Sequence, residues 1–159
     1  MFDANEPILN QILLPYQRKW VADDARFKIG MWSRQTGKSL SSAGETVRDC
    51  QLRPGQLWVV LSAGERQAVE WMAKAKMWIE AFQLIVDGYE ETLHAADALK
   101  SKAEIRFKNG SRIVAIPANP DTARGYSANL VLDEFAIHEK PWDIWAAIDE
   151  GKADEEDDN

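Results

Sequence analysis

Cysteine is the scarcest chemistry in these 159 residues: Cys50 stands alone. One thiol cannot close an internal disulfide, so a disulfide-stapled secreted scaffold is excluded. Histidine is nearly as rare, and His94 and His138 have no partners at metal-ligand spacing, which reads them as surface residues. No apolar run nears the ~20 residues needed to cross a bilayer. The opening MFDANEPILNQILL carries acids and no basic cluster ahead of its short apolar run, so it does not read as a signal peptide. A soluble, cytoplasmic protein with no membrane segment is expected. Positive charge is also in deficit, with 19 Lys and Arg against 26 Asp and Glu and a net charge of −7. The last eight residues, KADEEDDN, hold −4 of that total. A strongly basic nucleic-acid binder is therefore excluded as a global description, while a local basic patch is not.

What is present is the material of one globular domain. Apolar residues make up 45% and charged residues 28%, close to globular averages. A chain of this length buries about two-thirds of its unfolded surface. Pro15 suits a helix first turn, with Tyr16 to Asp24 following. Phe27 to Trp32 is apolar enough for a buried strand, and Lys38 and Ser39 open a helix running to Cys50. Leu57 to Leu61 is a continuous apolar run between turn residues, the pattern of a strand covered on both faces. Glu65 to Val86 repeats apolar residues at helical spacing, while residues 87–102 are polar and ambiguous. Asn109-Gly110 between Ile105–Phe107 and Arg112–Ile116 predicts a hairpin. Leu130 to Leu132 is a further buried strand, and Pro141 to Asp149 a closing helix. Alternation of strand and helix predicts a layered α/β domain with a largely parallel sheet. The domain is expected over residues 1–150, with 151–159 an acidic, disordered tail.

Two motifs carry chemistry. Gly37-Lys38-Ser39 follows a predicted strand and opens a predicted helix, the placement that turns backbone N–H groups and the helix N-terminus toward phosphates. There Lys38 would reach the β- and γ-phosphates and Ser39 would ligate Mg²⁺. The first glycine of the usual GxxxxGK[ST] pattern is replaced by Trp32. Second, Asn129 to Leu132 delivers Asp133 and Glu134 at the carboxyl end of a strand, where open α/β sheets bind ligands. An acid there can hold Mg²⁺, and a following glutamate can polarise the attacking water.

With both motifs in place the sequence resembles the N-terminal ATPase domain of the terminase large subunit, the DNA-packaging motor of tailed bacteriophages, and most of all the terminase-like proteins of Mu-like prophages. Leu14-Pro15-Tyr16-Gln17 resembles the family's adenine-recognition segment. Ser33-Arg34-Gln35-Thr36-Gly37-Lys38-Ser39 resembles its deviant Walker A, which lacks the first glycine and carries a basic residue near Arg34. Ser62 to Ala68 is similar to the segment after the second strand, and Ala123 to Ala128 to the approach to Walker B.

The resemblance implies an additional-strand, RecA-like P-loop NTPase fold of three layers that hydrolyses ATP with Mg²⁺ to drive double-stranded DNA into procapsids. It assigns nucleotide contacts to residues 33–39, adenine reading to Gln17 with Tyr16 beside it, Mg²⁺ to Ser39 and Asp133, and catalysis to Glu134 and Arg34. Arg124 is a candidate sensor. Implied partners are a portal protein, a small terminase subunit and further copies in a ring, in the cytoplasm of a bacterial host. The family's coupling motif and nuclease domain have no counterpart here, so a C-terminally truncated chain is expected. Two rivals follow: a catalytically weak nucleotide-binding remnant, and a helicase-like DNA-dependent ATPase.

Seven tryptophans remain, of which most are expected in the core. Lys74, Lys76, Lys100, Lys102, Arg106 and Lys108 read as a solvated face, with a DNA-facing patch the alternative.

Overall fold

The computed structural model describes residues 6–83, 86–92, 102–118 and 127–153. Two short helices, α1 (Glu6–Ile12) and α2 (Pro15–Ala22), precede the long helix α3 (Lys38–Leu52). Strand β1 (Leu57–Ser62) and helix α4 (Glu65–Ala81) follow, then β2 (Val86–Thr92), β3 (Lys102–Phe107), β4 (Arg112–Pro117) and β5 (Asn129–Leu132). A 3₁₀ turn (Phe135–Ile137) leads into α5 (Pro141–Ala153). Helix α5 thus runs three residues past the boundary expected at 150.

The sheet has the order β2-β3-β4-β1-β5. Strand β1 is parallel to both its neighbours, while β2, β3 and β4 pair antiparallel. The apolar run of β1 explains its central position, because alternate residues meet different layers. Val60 packs with Val47, Trp71, Met72 and Trp78 from α3 and α4, and Val59 and Leu61 pack with Ile144 and Ala147 of α5. Every one of these strand residues is fully buried, each worth about 1.5–3 kcal/mol relative to exposure. A three-layer helix–sheet–helix domain results. The predicted hairpin forms between β3 and β4, with Gly110 at φ +84°. None of the described helices is long and apolar enough to cross a membrane.

Three expectations are corrected. Phe27 to Trp32 is not a strand: among the described residues it pairs with none of the strands of the sheet. It still alternates, with Phe27, Ile29 and Met31 exposed at 67%, 89% and 92% while Gly30 lies against Trp20 and Lys28 is drawn inward. Lys28 meets Glu45 at 2.6 Å and donates to the Trp20 and Asp23 carbonyls. Helix α4 ends at Ala81 rather than Val86, with Gln83 turned into the left-handed region at φ +54°. Of the seven tryptophans, Trp71 and Trp78 are buried and Trp20 and Trp58 pack against the core, while Trp142 and Trp145 are 79% and 48% exposed, because α5 turns Ile144 and Ala147 toward the sheet. His138 is not a surface residue; it is 6% exposed.

Candidate nucleotide site

Parallel pairing aligns the carboxyl ends of β4, β1 and β5 along one edge of the sheet. The ladder continues one residue past β5, where the Asp133 N–H donates to the Leu61 carbonyl at 3.0 Å. That bond sets Asp133 at the rim. Ser39, in the first turn of α3, donates its hydroxyl between the two Asp133 carboxylate oxygens at 3.1 and 3.2 Å. Residues 94 apart in sequence thus meet side chain to side chain.

The approach to Ser39 is built from backbone geometry that suits an anion. Gln35 and Gly37 have φ of +59° and +79°, while Thr36 between them does not have positive φ. Such alternation folds successive N–H groups into a concave nest. Gly37 caps α3 and has no side chain to bond the first-turn N–H groups, which a bound anion could meet instead. Thr36 ties the loop down: its hydroxyl donates to the Ser33 carbonyl at 2.7 Å, and its carbonyl accepts from Tyr16 Oη at 3.0 Å and Gln17 Nε2 at 2.8 Å. Gln17 is 5% exposed, and its Oε1 accepts from the Leu14 N–H. Both ends of its amide are therefore engaged by backbone. It struts helix α2 against the loop. Tyr16 is more open and stacks edge-on against Trp32, at 5.3 Å between ring centres.

Electrostatics concentrate on Asp133. Burial raises its carboxyl above the ordinary carboxylate range; the Ser39 hydroxyl, Lys74 and Lys38 oppose that shift and Glu134 adds to it. A half-buried, reluctant carboxylate beside a hydroxyl is an oxygen donor pair awaiting positive charge. Glu134 is exposed and takes the left-handed conformation, φ +54° and ψ +38°. For a residue with a Cβ this costs about 1–2 kcal/mol, strain of the kind stored at functional sites. Arg34 extends into solvent from the loop.

A family model described as "Terminase large subunit, T4likevirus-type, N-terminal" matches residues 29–158. The chain belongs to the terminase large-subunit family. It is 31% identical over 135 residues to the Mu-like prophage FluMu protein gp28 of Haemophilus influenzae, covering 82% of this chain and 27% of that protein. It is 31% identical over 143 residues to the probable terminase large subunit gp28 of Escherichia phage Mu, covering 85% of this chain and 25% of that one. The chain spans about a quarter of the length of these curated relatives. Among solved structures, the Thermus phage P74-26 large terminase ATPase domain superimposes with a TM-score of 0.66 at 20% identity, covering 98% of this chain and 67% of that chain. That likeness shows the fold, an α/β P-loop domain.

In this terminase domain the structure brings Ser39, Lys38 and Asp133 to one edge and joins Tyr16 and Gln17 to the loop; Arg124 lies outside the described residues. Two residues escaped the sequence reading. Lys74 was grouped with surface lysines, yet it shares a face of α4 with Trp71 and Trp78, whose indoles donate to Ser42 Oγ and the Leu40 carbonyl on α3. Its ammonium turns back along the helix to the Glu70 carbonyl at 3.1 Å and lies close enough to Asp133 to draw its carboxyl down. The 71-74-78 spacing was the available signal. The second residue, His138, lies behind Asp133, its Nε2 2.9 Å from the Asp133 carbonyl oxygen.

Proposed function

We propose that this terminase domain binds ATP with Mg²⁺ across the 33–39 loop and the end of β5, and hydrolyses it. The observation that carries the reading is the Ser39–Asp133 contact, which joins the phosphate-type loop to the acidic strand end. The donor set fits Mg²⁺: a hydroxyl and a partly buried carboxylate, both hard oxygens, on neighbouring rigid termini. When bound, that cation would neutralise charge on the phosphate oxygens. The nest and the α3 N-terminus would hold the phosphates, Lys38 would neutralise them, and Arg34 would reach the γ-phosphate from solvent. Glu134 would accept the proton of the attacking water as its oxygen bonds the γ-phosphorus and the bond to the bridging oxygen breaks, releasing ADP and phosphate. Tyr16 borders the adenine end.

In the whole protein this hydrolysis would drive double-stranded DNA into procapsids in the bacterial cytoplasm, in a ring of copies with a portal protein and a small subunit. Calorimetric titration with Mg–ATP tests the site itself. Lys38→Ala should weaken binding by about tenfold or more, the loss of a charged contact. Equal affinity for the two chains would overturn the assignment.

A further inference from the structure

We propose that His138 is a positioning residue for Glu134, a role that rests on the general-base reading of that glutamate. The carbonyl oxygen of Asp133 can only accept, so the ring must carry its proton on Nε2 and donate it there. A peptide unit is planar, so the Asp133 carbonyl and the Glu134 N–H turn together. The Asp133 N–H is already fixed on Leu61 at 3.0 Å. With the carbonyl held by His138 at 2.9 Å, the plane entering Glu134 has no freedom left.

The rest of the turn returns the ring to that place. The Ile137 N–H donates to the Glu134 carbonyl at 3.0 Å and the His138 N–H to the Phe135 carbonyl at 3.3 Å. The imidazole is 6% exposed and packs on the Phe135 ring at 5.7 Å. Its Nδ1 has no hydrogen-bond partner among the described residues, so the ring's single directional interaction is the one to Asp133. The exposed side chain of Glu134, by contrast, extends from a left-handed backbone. Its aim is set through that backbone, and His138 is the side chain that clamps it.

The test compares the parental chain, His138→Ala and His138→Gln, whose amide N–H can replace Nε2–H. Each is titrated with Mg–ADP and with Mg–ADP–aluminium fluoride, which mimics the transferring phosphoryl group with its attacking water, and ATP hydrolysis and melting temperature are recorded alongside. His138→Ala should keep Mg–ADP affinity within about threefold yet lose about 10- to 100-fold in affinity for the mimic and in turnover, the scale of a misplaced catalytic group. His138→Gln should restore both. In a Glu134→Gln background, His138→Ala should add less than about threefold. Equal loss for ADP and mimic, a folded Gln variant no better than Ala, or full additivity with Glu134→Gln would overturn the proposal. A parental chain that binds the mimic no more tightly than ADP would overturn the general-base reading and this inference with it. A mimic that is preferred but indifferent to His138 overturns the inference alone.

Discussion

Asp133 sits where a carboxylate is held against its preference. Burial makes it harder to ionise in the folded chain than in the unfolded one. The folded state therefore takes up protons, and stability falls as pH rises from the ordinary carboxylate value through the raised one. Above that window the penalty is complete. Asp133→Asn should accordingly raise the melting temperature of the ligand-free chain at pH 7, with the gain fading toward pH ~4, the ordinary carboxylate range. The same substitution should abolish the Mg²⁺ dependence of nucleotide binding. Scanning calorimetry across pH checks the first outcome; an unchanged or lower melting temperature would show that the Ser39 hydrogen bond outweighs burial. Gly37 is constrained twice. Its φ of +79° disfavours any Cβ, and a Cβ placed there would lie 2.4 Å from Gln17 Nε2. Gly37→Ala should destabilise by at least about 1–2 kcal/mol from the backbone alone. Adding Gln17→Ala should recover only the steric part, as measured by urea unfolding.

At the scale of elements, the loop is anchored because α3 is gripped by α4. The tightest point is Gly44, where an added Cβ would lie 2.8 Å from the Trp78 indole. Alanine gains about 1 kcal/mol over glycine in a helix, whereas overpacking costs about 1–3 kcal/mol. Trp78 is buried and committed to the Leu40 carbonyl, so the steric term should win. Gly44→Ala should therefore lower stability, and Trp78→Phe in the same chain should reverse part of the loss; a Gly44→Ala chain more stable than the parent would refute the argument. Elements whose signal is local were legible in sequence. The Leu57–Leu61 run, the Asn109-Gly110 turn and the Lys38 helix start each carry their cause within a few residues. Phe27–Trp32 misled because composition reports apolarity and not the presence of a neighbouring strand. The end of α4 was missed because no glycine or proline marks Gln83, which turns left-handed regardless. Of the site, Ser39 and Asp133 were legible from their places at a helix start and a strand end. Gln17's engagement, Lys74 and His138 were not, since each depends on which element packs beside which.

For the molecule as a whole, ligand binding and stability should move together. Mg–ATP at 100 times its Kd should add about 2.7 kcal/mol, and Lys38→Ala should erase most of that gain in a thermal-shift measurement. Phe27, Ile29 and Met31 act in the opposite sense, on the solution rather than the fold. They stand in water, and the sheet's last strand, β5, has no further strand paired to it among the described residues. An open edge and an exposed apolar stripe each make one copy adhesive to another. The net charge of −7 opposes that attraction by long-range repulsion, which salt screens within about 10 Å at 0.1 M. Colloidal behaviour should therefore turn on ionic strength: the osmotic second virial coefficient should fall toward negative values as salt is added. Replacing the three apolar residues with serine should keep it positive in light scattering. Because Ile29 and Met31 are already almost wholly hydrated, replacing those two alone should leave the melting temperature of the dilute chain unchanged.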